Sequence, residues 1–357
     1  MTGRGIDQIL PHPGSPRLYE PYVHDARDYL RLAEAAHGPI RCPVAENYIW
    51  GEALRELGAA DVRIVNLETS ITTSGDHWPR KEVHYRMHPQ NIGCLTAASI
   101  DCCALANNHV LDWGYEGLAE TLATLDRTGM KHAGAGTDAE EAASPAVLDV
   151  AGKGRVRVFS FGSVTSGIPR EWAAGHNRPG VNLLEDLSDQ TSRRLAERMC
   201  KAKGPGDVTV ASIHWGGNWG HEIPDAQIRF AHRLIEEGVD LVHGHSSHHI
   251  KALEVYRGRP ILYGCGDLLT DYEGIRDHEA YRGDLAPMYF VRLDSSPPRL
   301  ADLRLVLMQV RQFRLRRAAP VDVQWVQRTL NRESARFGTE MSRNPDDSLS
   351  VRSRGSQ

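Results

Sequence analysis

DVTVASIHWGG (207–217) and VDLVHGHSSHHIKALEVYRGRPILYGCGD (239–267) decide the fold. The first opens with a run of apolar and β-branched residues that ends in His214. The second repeats the pattern twice: DLVH (240–243) runs into Gly244-His245-Ser246-Ser247-His248-His249, and PILYG (260–264) runs into Cys265-Gly266-Asp267. The runs are unbroken rather than alternating, as in parallel strands covered on both faces. Between them a helical pattern starts at Pro224, where a first-turn proline is tolerated, and places Ile228, Ala231, Leu234 and Ile235 on one face. Strand, helix and strand in this order imply an α/β fold with much parallel sheet.

The same grammar extends outward. VRIVN (62–66), DCCALA (101–106) and RVRVFSF (155–161) read as further strands, and a helix from Gly114 sets Tyr115, Leu118, Leu122 and Leu125 on one face. MYFVRLD (288–294) and LADLRLVLMQVRQFRL (300–315) alternate more, so antiparallel strands are expected there. No repeat or strong linker divides the chain. The expected organisation is one domain over 1–315, a helical extension over 316–342 and a disordered Ser-, Arg- and Asp-rich tail over 343–357.

Composition sets limits. A 357-residue chain with 41% hydrophobic and 25% charged residues is globular, and a net charge of -4 argues against a nucleic-acid binder, which needs a strongly basic face. No run is long and apolar enough to span a bilayer, and the first residues lack the apolar core of a signal peptide. Six cysteines without a CxxC pair suit buried thiols, so a cytoplasmic location is expected. No strand is followed by GxGxxG or GxxxxGK[ST], which sets aside a nucleotide-binding reading.

In open α/β sheets ligands bind beyond the carboxyl ends of the strands. Here five of the six strand ends carry polar groups: Glu68, then Asn107-Asn108-His109 with Asp112 three residues on, then His214, then His245 and His248, then Asp267. Taken singly, each has an ordinary structural explanation. A histidine at a strand end commonly fills a hydrogen-bonding role, and an Asn-Asn pair commonly makes a turn. Four imidazoles within seven residues (His243, His245, His248, His249) are harder to explain that way. Imidazole, amide and carboxylate together suit Zn, Mn or Fe(II) better than Mg or Ca. His84, Arg86, Arg170 and Arg178, in polar loops, are candidates to receive an anionic group.

The segments VRIVNLETSIT (62–72), CCALANNHVLDWGYEGLAETL (102–122), ASIHWG (211–216) and 239–267 resemble the capsule-synthesis protein A family (CapA, poly-γ-glutamate capsule type), which is similar in turn to the calcineurin-like metallophosphoesterases. The likeness runs from about Thr2 to about Asp271. It implies a four-layer α/β/β/α sandwich with two divalent ions (Mn, Fe or Zn) between the central sheets. Glu68, Asn108, His214, His245 and His248 would be the ligands, His109 the general acid and Asp112 its orienting partner. The implied activity is metal-dependent hydrolysis of a phosphoester or related anionic substrate; the alternative is a non-catalytic part in making an anionic surface polymer. Glu222 and Asp267 stand at less certain positions of the pattern. The family pattern also begins with a strand ending in Gly-Asp ahead of a Gly-Arg pair, whereas this chain reads Met1-Thr2-Gly3-Arg4-Gly5-Ile6-Asp7. The expectation is a start assigned downstream of the natural one, with one metal ligand and one strand upstream and Asp7 as the only nearby acidic substitute.

Overall fold

A computed structural model of the chain describes residues 1–201, 203–295 and 297–353. All six apolar runs form strands. Four of them, Gly154–Gly162, Val208–His214, Leu241–His245 and Arg259–Leu262, lie parallel at the centre of a six-stranded sheet. Antiparallel strands Ala146–Val150 and Leu253–Tyr256 form its edges. The other two runs give Ile64–Asn66 and Cys102–Ala104, which pair in parallel with each other and, through Cys102–Ala104, with Lys131–Ala133.

The two parallel sheets meet through small and β-branched side chains, with Cys102 and Ala133 of one packed among Val158 and Val210 of the other. Helix Gly114–Arg127 covers the first sheet by burying Leu118, Leu122 and Leu125. Tyr115 departs from the expected face: it stands in the first turn, 38% exposed, with its ring edge-on to Trp78. Helix Asp225–Glu236 follows Pro224 and buries Phe230, Ala231, Leu234 and Ile235 on the second sheet.

The C-terminal part is a five-stranded antiparallel sheet of Leu285–Ser295, Pro298–Arg311, Arg314–Arg317, Thr339–Arg343 and Leu349–Ser353, with helix Pro320–Ser334 packed on it through Val323, Val326 and Leu330. The expected disordered tail is corrected here. Thr339–Arg343 and Leu349–Ser353 form a hairpin, and Leu349 is fully buried. Met341 and Leu349 are buried in the core of this sheet and Val351 packs against it, which anchors a segment that is otherwise polar in composition. Residues 354–357 of that tail lie outside the described residues.

Candidate functional site at the carboxyl ends of the parallel strands

Register builds the site. His214 and His245 are the last residues of neighbouring parallel strands and stand directly opposite one another. The approach depends on Gly244, since a Cβ there would lie 2.5 Å from the Leu262 carbonyl oxygen and 2.6 Å from that of Tyr263. From the other sheet, Asn66 and Ala104 are paired strand ends, and the chain beyond each supplies Glu68 and the 107–109 turn.

The hydrogen bonds at this seam have one consistent direction. Asn108 Oδ1, an acceptor, lies 3.1 Å from His214 Nε2, so that nitrogen carries the proton. His214 Nδ1 then accepts from His245 Nδ1 at 2.9 Å, and His245 Nε2 accepts from the Ser212 hydroxyl at 3.0 Å. The Ser212 oxygen in turn accepts from His243 Nδ1 at 3.0 Å. Every imidazole in this chain is neutral. Burial holds His214 down at about 3 and His243 at about 4, and pushes His245 well below the ordinary histidine range.

Glu68 approaches the same point, its Oε1 lying 3.9 Å from His109 Nε2 and 4.0 Å from His214 Nε2. Its other oxygen accepts from Asn66 Nδ2 at 2.7 Å. Asn107 ties the two strand ends together, donating to Asn66 Oδ1 and to the Leu67 carbonyl and accepting from the His109 amide. His109 Nδ1 sits 2.7 Å from Asp112 Oδ2 and 3.0 Å from Lys81 Nζ, while Lys81 also pairs with Asp112 Oδ1 at 2.7 Å. Burial, then the Lys81 charge, lowers the His109 pKa well below its usual value, and burial raises Asp112 to about 6. The Tyr85 ring covers the imidazole at 4.1 Å.

His248 completes the cluster with the opposite electrostatics. Burial alone would lower its pKa, but the Asp267 carboxylate 3.0 Å from Nδ1 outweighs that and raises it. The six residues named from the sequence thus gather at one end of the two parallel sheets. The four proposed anion receivers make no hydrogen bond to this cluster. His84 is buried, with Nε2 on the Trp78 carbonyl, and Arg86 stacks on Trp113 with its nitrogens on the Ser74 and Ser15 carbonyls. Arg170 and Arg178 are exposed. Asp7 does not substitute for a ligand: it is buried, and it accepts from the Gly14 and His88 amides and from Asn91 Nδ2. Lys81 and Ser212 were not singled out from the sequence, and Asn107 was named there only within the strand-end turn and given no site role. Ser212 lies two residues before His214, which was, but Lys81 sits in a loop 28 positions from His109, and no local signal points to it.

The donor set has the right chemistry for a transition metal, but its present arrangement does not offer a cage. Both ring nitrogens of His214 and both of His245 are engaged within the chain of hydrogen bonds. Among the described residues no group of three or more His, Cys, Asp or Glu is disposed to hold an ion. A metal here would have to displace the His214–His245 contact.

An α/β protein with a neutral, histidine-rich site at parallel strand ends is the class these observations define. Residues 1–272 match the model of the bacterial capsule synthesis protein family PGA_cap, and the chain belongs to that family. It is 47% identical over 354 residues to a probable polyglutamine synthesis accessory protein of Mycobacterium tuberculosis, covering 98% of this chain and 93% of that one. It is 24% identical over 223 residues to the PGA biosynthesis protein CapA of Bacillus subtilis, covering 62% and 56% respectively. The capsule biosynthesis protein CapA of Bacillus anthracis is 25% identical over 191 residues, covering 54% of this chain and 45% of that one. Among the described residues no helix is long and apolar enough to cross a membrane.

Proposed function

We propose that this chain serves the synthesis of a polyglutamate-type or other anionic surface polymer, and that the strand-end cluster is where it meets that polymer. The observation that carries this reading is the extent of the family match: residues 1–272 include every member of the cluster. Lys81 and His248 are the groups at the cluster that could receive an anion, each by exchanging its present carboxylate partner, Asp112 and Asp267 respectively, for a carboxylate of the ligand. A γ-linked glutamate chain presents one carboxylate per residue to such groups.

A second reading, metal-dependent hydrolysis of a phosphoester or related bond, is favoured by the convergence of Glu68, Asn108 and His214 on one point. It takes the two parallel sheets as the inner layers of a four-layer sandwich of metallophosphoesterase type. Glu68, Asn108, His214, His245 and His248 would hold Mn, Fe or Zn after the imidazoles turn. His109, neutral and oriented by Asp112, would take a proton at Nε2 and return it to the leaving oxygen.

Purified protein tests both. Oligomers of γ-linked glutamate and a generic phosphodiester are offered to the wild type and to His248→Ala and His109→Ala variants, with metal content measured alongside. Polymer binding weakened by His248→Ala, without turnover, supports the first reading. Phosphodiester turnover abolished by His109→Ala supports the second. Neither binding nor turnover in the wild type overturns both.

A further inference from the structure

Strands Pro298–Arg311 and Arg314–Arg317 form a hairpin whose tip reads RQFRLRR (311–317). Val310, Phe313 and Leu315 are buried, and Arg311, Arg314 and Arg316 are exposed. Arg311 and Arg314 stand directly opposite one another across the strand pair, where like charges destabilise a sheet. The turn between them is a second local cost: Gln312 and Phe313 both hold left-handed φ values, 57° and 52°, in a turn that ordinarily takes Asn-Gly. The tip is nevertheless held rigidly. Glu273 accepts from the Gln312 and Phe313 amides at 2.7 and 2.9 Å, and the Tyr48 hydroxyl donates to the Gln312 carbonyl at 3.1 Å. Each guanidinium is fixed by a neutral group. Arg311 Nε donates to Gln309 Oε1 at 2.9 Å, Arg316 Nη2 donates to Gln312 Oε1 at 2.8 Å, and Arg314 lies 5.3 Å from the centre of the Tyr48 ring. Among the described residues none of the three pairs with a carboxylate, whereas Arg317 on the same strand reaches Glu56 at 3.7 Å. Glu273 is committed to the turn amides and to His37, and Asp284, beside Gln309, is committed to Arg282.

Two local costs and three unneutralised cations at one rigid point serve no packing purpose, and such departures from local rules gather at functional surfaces. We propose that this hairpin tip is a second contact for the anionic polymer, its guanidiniums taking carboxylates of a γ-linked polyglutamate chain through their unused N–H groups. The inference rests on the polymer reading of the strand-end cluster. The tip is close to that cluster. Glu273, bonded to the turn, follows Asp267, the partner of His248, by six residues, a reach of at most about 22 Å. A chain long enough to touch both places gains affinity over one that touches the cluster alone. Three arginines on a protein of net charge -4 suit a flexible polyanion; a nucleic-acid duplex or an anionic membrane calls for a broader basic face.

Binding of γ-linked glutamate tests it, with oligomers too short to reach from the cluster to the tip and with long chains. The proteins are the wild type, His248→Ala, and a variant combining Arg311→Gln, Arg314→Gln and Arg316→Gln. The wild type is expected to bind long chains more tightly than short ones by about tenfold at low salt. The combined arginine variant loses that gain and keeps its binding of short oligomers, whereas His248→Ala weakens both. The arginine variant is also expected to melt no lower than the wild type, because it relieves the Arg311–Arg314 repulsion. Equal binding of the two lengths by the wild type, or an undiminished gain in the arginine variant, overturns the tip and leaves the cluster reading to stand on His248→Ala. Binding of neither length by the wild type overturns both. A lowered thermal midpoint makes the arginines structural and overturns the proposal. An equal loss of binding to inorganic polyphosphate or to vesicles of anionic phospholipid overturns polyglutamate as the partner.

Discussion

His109 is a neutral imidazole with Nδ1 committed to Asp112 and Nε2 facing Glu68 at 3.9 Å. Under the hydrolase reading that geometry would suit it to proton transfer, and the following outcome tests that reading. His109→Ala is expected to lower turnover by about 10²–10⁴ while leaving bound metal near the wild-type level; a proportional loss of metal and activity would make His109 a ligand instead. His214 gives a pH prediction whose sign is fixed. Its folded pKa of about 3 lies below the ordinary 6.5, so its contribution to stability is complete above pH 6.5 and declines as the pH falls toward 3. His245 is shifted in the same direction. The unfolding free energy should therefore drop between pH 6.5 and 4 by up to about 1.4 kcal/mol per pH unit for each histidine, and the His214→Gln variant should lose one proton's worth of that slope. Stability that stays level over this range in the wild type would contradict the neutral hydrogen-bond chain. At this scale the sequence named the residues that gather at the strand ends, because parallel strands bring their carboxyl ends together. It did not disclose how they bond to one another: the pairing of His214 with His245 and the reach of Lys81 to His109 arise from register and loop path.

Strands were legible because burial on both faces forces unbroken apolar runs, and Val208–His214 lies within one residue of its sequence reading at the N-terminal end. The hairpin Thr339–Arg343 with Leu349–Ser353 was not legible, since its two strands are short and mostly polar and their pairing partner is distant in sequence. Element packing also depends on a residue that carries no functional group. Gly244 lets strand Leu241–His245 press against the chain at Leu262 and Tyr263, and a methyl group there would collide with two carbonyl oxygens and with Trp215 Nε1 at 2.7 Å. Gly244→Ala is expected to cost about 1–3 kcal/mol in urea unfolding and to weaken the His214–His245 contact. Gly75→Ala, with nothing within 4 Å of the added carbon, serves as the control and should be close to neutral. Equal costs at the two positions would show that the close approach at Gly244 does not govern packing.

Over the whole molecule, the stretch that defines the family is closed on itself by one side chain. Arg4 is buried, donates to Asp271 through Nε at 2.8 Å and Nη2 at 2.6 Å, and reaches Glu20 through Nη1 at 2.8 Å. Its guanidinium lies 3.6 Å from the centre of the Tyr29 ring and 4.8 Å from that of Tyr85, which itself covers His109. The contact spans 267 positions and joins the two ends of the matched region, 1–272. The sequence marked Gly3-Arg4 as part of a family pattern, but nothing local could reveal a partner so far along the chain. Arg4→Met should cost about 3–5 kcal/mol, because it leaves the carboxylates of Asp271 and Glu20 buried without their cation. Much of that cost is the penalty on the abandoned charges rather than the worth of the contact. Arg4→Met combined with Asp271→Asn should therefore be less destabilising than the sum of the two single changes, by about 0.5–3 kcal/mol in a double-mutant cycle read by chemical unfolding. Strict additivity would mean that Arg4 and Asp271 act separately and that the closure of the domain lies elsewhere.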